Sequence, residues 1–166
     1  RYYVNSYGKV CVLRALPYHV WRETMKYQTR DFGEVEIEQE RILQFAAPIL
    51  GYEKYQSYTL LYDKEAGPGL VWLQSLEDKN VCFILIDPAV LPMEYKPMIP
   101  QEDAEILGEG ELLCLPIASI PQDLKRATVN LRSPIVVNIQ TRKAMQVVLP
   151  KEFPTRLPLF KEEEEC

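Results

Sequence analysis

At 166 residues with 47% hydrophobic side chains, the chain suits one domain with a sizeable core. No apolar run approaches the ~18 residues of a membrane-spanning helix, so none is expected. Net charge is −5 and uneven: residues 1–24 set Arg1, Lys9, Arg14 and Arg22 against Glu23, a net of +3, leaving −8 elsewhere. An acidic body argues against binding nucleic acid through phosphates and suits a basic protein partner.

Residues 1–24 show no sustained period and lack the apolar centre and small-residue cleavage site of a signal peptide. Strand character starts at Met25, so 1–24 reads as a non-native or disordered leader and Met25 as the natural start, the competing reading being a genuine extra N-terminal segment. Lys26–Thr29 and Gly33–Ile37 then flank Arg30-Asp31-Phe32-Gly33, a hairpin signal in which glycine supplies positive φ. Ile42–Phe45 is a strand, and residues 46–53 form a reversal marked by Pro48 and Gly51. Glu53–Ser57 has room for one helical turn. Tyr58–Tyr62 is a strand with Tyr58, Leu60 and Tyr62 on one face, followed by a polar loop over residues 63–69.

Leu70–Leu76 and Val81–Ile86 pair across the turn Glu77-Asp78-Lys79-Asn80. The second of these is apolar on both parities, which predicts burial on both faces. Asp87–Pro100, with four prolines, is a long irregular connection of the kind that carries function. Gln101–Leu107 is a short helix: Glu102, Asp103 and Glu105 favour its N-terminal half and Gly108 its C-cap. Leu112–Ile120 is a strand edged or kinked at Pro116, and residues 121–126 give a further helical turn.

Ala127–Leu149 organises the rest. Val129, Leu131, Ser133, Ile135, Val137 and Ile139 share one parity and predict one inward face; Asn138 lies on the opposite parity, which either meets solvent or is buried as well. Pro134 demands an edge or a bend. After the polar break Gln140–Lys143 a return strand alternates Met145, Val147 and Leu149. Length, alternation and kink together predict a curved sheet closing on itself, a mainly-β, antiparallel barrel-like single domain over residues 25–160 with a few short helices. Glu162–Glu165 makes residues 161–166 an acidic, solvated tail.

Chemistry is sparse. Cys11, Cys82, Cys114 and Cys166 form no Cys-x-x-Cys pair, which reads as a reducing, cytoplasmic setting without disulfides or zinc. His19, the sole histidine, lies in the leader, so no Ser-His-Asp or Cys-His set can be built on the body. The paired carboxylates Glu77-Asp78 and Glu102-Asp103 adjoin turn or helix-start signals, and Gly67-Pro68-Gly69 lacks the helix and lysine of a phosphate loop. No enzyme, metal or cofactor is expected. Tyr52, Tyr55, Tyr58, Tyr62 and Tyr95 could be interface anchors or partly buried strand residues. A partner-binding surface is expected between Asp87 and Glu105, carried by Asp87, Tyr95, Glu102, Asp103 and Glu105, because a stiff irregular segment there runs into the densest acidic group outside the tail.

Seven ordered blocks carry a resemblance. TRDFGEVEI (29–37), LGYE (50–53), LVWLQSLED (70–78), VCFILIDP (81–88), ATVNLRSPIVVN (127–138), TRKAMQVVL (141–149) and PTRLPLF (154–160) resemble the flagellar assembly factor FliW family in order and spacing. Pro48-Ile49-Leu50-Gly51 departs from the family's Gly-Leu-Pro-Gly-like turn, and Leu157 stands where histidine is frequent. The resemblance implies a non-enzymatic β-barrel that binds CsrA, a basic RNA-binding dimer repressing flagellin translation, and also binds flagellin as the competing partner. The alternative from another class is a β-barrel that binds single-stranded nucleic acid, which needs a basic, aromatic-lined groove.

Overall fold

The structure is a computed structural model and describes residues 23–67 and 69–160. Met25 lies inside the first strand, β1 (Thr24–Gln28), which pairs antiparallel with β2 (Glu34–Glu38) through a turn where Gly33 takes φ 65°. Thr24, assigned to the leader from the sequence, is therefore a strand residue. The rest of the leader up to residue 22, with His19 and Cys11, and the acidic tail lie outside the described residues.

Eight further strands form one sheet: β3 (Ile42–Phe45), β4 (Ser57–Leu61), β5 (Leu70–Ser75), β6 (Cys82–Ile86), β7 (Leu112–Ser119), β8 (Thr128–Asn138), β9 (Lys143–Gln146) and β10 (Leu157–Pro158). Consecutive strands from β3 to β9 pair antiparallel, except for the closing contact. That contact is parallel, with Gln44 opposite Lys143 and Phe45 opposite Ala144, and it turns seven strands into a barrel. Closure removes the sheet edges that an open meander would expose. β10 lies outside the ring, against the N-terminal half of β8.

Because side chains alternate, the strands serve two cores at once. Leu43, Phe45, Tyr58, Leu73, Leu85, Leu115, Ile135 and Val137 fill the barrel interior. On the outer face, Ile86, Val129, Leu131, Val136 and Met145 are covered by Leu91, Tyr95, Leu107, Val147 and Leu149. The return strand therefore keeps the expected Met145-Val147-Leu149 alternation, facing the outer core.

β8 departs from the expected single inward face. Leu115 pairs with Ile135, but Ile117 pairs with Asn130, so four residues of β8 bulge opposite one of β7. The three extra residues are an odd number, and an odd insertion exchanges the faces. Val129 and Leu131 thus face the outer core, whereas Ile135 and Val137 face the interior. Asn130 holds the bend by accepting the Arg132 and Ser133 amides at 3.0 and 3.1 Å. Pro134 sits in this bend as expected, but buried. Ile139 lies beyond the strand and is 59% exposed, because the polypeptide has already turned toward β9. Asn138, on the opposite parity, is fully buried, so this end of β8 is covered on both faces.

Three smaller expectations change. Glu53–Ser57 forms no helical turn; the Tyr55 amide donates to the Tyr52 carbonyl in a reverse turn and Ser57 already begins β4. Tyr62 is exposed past the end of β4. β6 is buried on both faces only at Leu85 and Ile86, since the outer cover reaches only its C-terminal end.

The β1–β2 hairpin docks on the barrel wall. Phe32 packs edge-on against Trp72 at 5.3 Å, and the Trp72 indole donates to Asp31 at 3.1 Å. Arg30 grips Asp31 and donates to the Cys82 carbonyl at 3.1 Å.

Candidate functional site

The connection from β6 to β7 holds all five expected site residues, and the structure divides them. Asp87 follows β6 and accepts the Ala89 amide at 2.9 Å, capping the 3₁₀ turn Pro88–Val90. Tyr95 is 5% exposed. Its hydroxyl donates to the Leu131 carbonyl at 2.7 Å, its ring meets Phe153 edge-on, and the Cys114 thiol donates to it at 3.7 Å. Burial pushes the Tyr95 phenol well up and the Cys114 thiol up to about 11. Tyr95 therefore cannot be a surface anchor; it is the peg that fastens the connection to the outer core. The sequence did not show this, because the acceptor is a backbone carbonyl far along the chain.

Glu102, Asp103 and Glu105 do come together, on α1 (Gln101–Leu107). Glu102 and Glu105 are exposed and Asp103 is half-buried. Glu105 accepts from Gln101 at 2.8 Å, while neither Glu102 nor Asp103 has an ion-pair partner among the described residues. Leu107 is buried and anchors the helix. Gly108 closes it at φ 89°, where a Cβ would also come within 3.0 Å of Thr141. Asn138 donates to the carbonyls of Leu107, Gly108 and Glu109, and the Thr141 hydroxyl donates to the Leu107 carbonyl at 2.7 Å. The β8–β9 hairpin thus fixes the acidic helix in place.

Exposed apolar groups adjoin these acids. Ile106 follows Glu102 by one helical turn and is 46% exposed, and Met98, just before the helix, is 90% exposed. The i, i+4 spacing of Glu102 and Ile106 on a seven-residue helix was the available sequence signal. A shallow cleft of about 500 Å³ runs along Pro88–Lys96. On its rim the Lys96 ammonium, 2.6 Å from Glu94, holds that carboxyl below its usual range. Among the described residues no three His, Cys, Asp or Glu side chains converge as a metal site would require, and no helix is long and apolar enough to cross a membrane.

The architecture is a closed seven-stranded barrel with one short acidic helix clamped to its outside. A sequence model of the FliW protein family matches residues 26–159. The chain belongs to the FliW family. The flagellar assembly factor FliW of Thermotoga neapolitana is 39% identical over 129 residues, covering 75% of this chain and 85% of its own. That of Lachnospira eligens is 31% identical over 145 residues, covering 82% and 95% respectively. A crystal structure of a flagellar assembly factor FliW superposes with a TM-score of 0.77 at 26% identity, covering 84% of this chain and 99% of that one. Both departures from the family pattern are accommodated. Gly51 takes φ 84° in the 48–51 turn with Ile49 buried beneath it, and Leu157 pairs with Val129 and packs on the outer core.

Proposed function

We propose that this protein serves flagellum assembly as a non-enzymatic, cytoplasmic partner-switching regulator. It binds the translational repressor CsrA and relieves flagellin mRNA from repression, and it binds flagellin as the competing partner. The observation that carries this reading is the FliW family match over nearly the whole described barrel. The contact surface for CsrA is α1 with its flank: Glu102, Asp103 and Glu105 steer a basic partner, and Met98 and Ile106 supply desolvated contact once it arrives.

Purified full-length chain is mixed with CsrA, with flagellin and with RNA at low and moderate salt. CsrA should bind more weakly as salt rises, flagellin should displace it, and RNA should not bind. The double variant Glu102→Lys, Asp103→Lys should weaken CsrA binding several-fold at low salt without shifting the melting curve. Unchanged binding places the contact elsewhere, and binding to neither protein refutes the proposal.

A further inference from the structure

β7 and β8 end in a different chemistry from the one they carry along the barrel. On the interior parity of β7, Leu113, Leu115 and Ile117 pack into the core, but the next position is Ser119. Its partner across the ladder is Thr128, and Ile117 faces Asn130. The parity that is apolar inside the barrel becomes polar where the two strands run on past it. A cleft of about 470 Å³ opens over this polar end, flanked by Arg126 from the turn before β8 and Arg156 from the approach to β10.

Both arginines are exposed, and no carboxylate among the described residues reaches either. The Asn130 oxygen is occupied by two backbone amides, which leaves its amide hydrogens as unused donors. Ser119 and Thr128 add hydroxyls without partners among the described residues. Residues 121–134 and 150–156 carry Lys125, Arg126, Arg132, Lys151 and Arg156 against Asp123 and Glu152, on a protein that is otherwise acidic.

We infer that this cleft is a binding site for a single carboxylate, held between the guanidinium groups of Arg126 and Arg156 with Asn130 and the hydroxyls as further donors, for which a short peptide with a free C-terminus serves as the probe. Guanidinium presents a planar fork that matches a carboxylate in two parallel hydrogen bonds. A polyanion is disfavoured because the body it would lie against is negative, and the glycine-rich backbone that cradles phosphates is missing from the lining. The inference is independent of the proposed CsrA contact, since a basic cleft repels a basic partner.

The test is a titration of the ¹⁵N-labelled full chain, followed at the Arg126 and Arg156 Nε–H and Asn130 side-chain amide resonances. N-acetyl-tetra-alanine with a free C-terminal carboxylate should shift all three saturably, and its C-amidated form should bind at least about tenfold more weakly. Arg126→Gln with Arg156→Gln should abolish saturation without changing the melt, whereas Lys125→Gln, outside the cleft, should retain it. Absence of saturation overturns the site. Inorganic phosphate or a single-stranded RNA oligomer saturating the same resonances about tenfold more tightly than the peptide overturns the carboxylate assignment.

Discussion

Asn138 is the single side chain on which the acidic helix most depends. Its amide donates to the carbonyls of Leu107, Gly108 and Glu109 at 3.3, 3.0 and 3.1 Å, and its oxygen accepts the Thr141 amide at 3.1 Å. Leu107 keeps a second donor in the Thr141 hydroxyl, so Asn138→Ala strands two carbonyls and one amide. At about 1 kcal/mol for each group left unpaired in a part-buried site, the loss should be about 3 kcal/mol. For a domain of this size that corresponds to a fall of roughly 6–12 °C in Tm. Urea unfolding monitored by far-UV circular dichroism measures the first, and hydrogen exchange locates it: amides of α1 should exchange faster by more than those of β5. Asn138→Asp should be worse than alanine at neutral pH, because a carboxylate would face three carbonyl oxygens. Such a buried acid has its folded pKa raised above the unfolded one, so its destabilisation is full above the folded value and is lost as pH falls below it. A loss under about 1 kcal/mol for Asn138→Ala, or uniform acceleration of exchange, would refute the clamp.

Val136→Asp and Val137→Asp should each cost more than about 3 kcal/mol in urea unfolding, since the two residues point into different cores and neither offers a charge any partner. Ile139→Asp should change stability little; damage equal to that of Val137→Asp would mean β8 does not end where described. Tyr95→Phe removes the buried hydrogen bond to the Leu131 carbonyl, and with it the weak one from the Cys114 thiol, and should cost about 1–2 kcal/mol while leaving CsrA affinity unchanged, as measured by calorimetry. Asp31 is held below its ordinary value of 3.8 by Arg30 and then by the Trp72 indole, so its contribution is present above that value and disappears as pH falls through the folded pKa. The Trp72 indole N–H resonance should titrate below pH 3.8, and Asp31→Asn should abolish that titration.

Local chemistry was enough to locate most elements. The bounds of α1 follow from acids at one end and Gly108 at the other, β3 from its apolar run, and the first hairpin from Gly33. All of these signals act within a few residues. What escaped were features defined by distant partners. The face exchange in β8 depends on a register with β7 that no single-strand periodicity contains. Asn138 looks like a solvent-facing residue until a helix some thirty positions earlier lays its carbonyls against it. Tyr95 and Asp87 sit in a stretch whose prolines advertise irregularity, which is a different property from exposure. Acidity marked Glu102 and Glu105 as accessible, because carboxylates without an ion-pair partner stay in water, though Asp103 beside them is half-buried; an aromatic ring carries no comparable indication.

The parallel seam between β3 and β9 joins residues about 100 positions apart. A ribosome making this chain N-terminus first exposes β3 through β7 long before their closing partner exists, so the growing sheet carries two open edges while Phe45 lacks Ala144 beside it. Seams of this kind form late, since the loop between them must be ordered before the contact rewards it. Anything that holds the nascent sheet until residue 146 has cleared the exit tunnel raises the yield of closed barrel. A truncation just short of β9 would not be a smaller barrel but an unsealed sheet, ready to pair with its neighbours on the polysome.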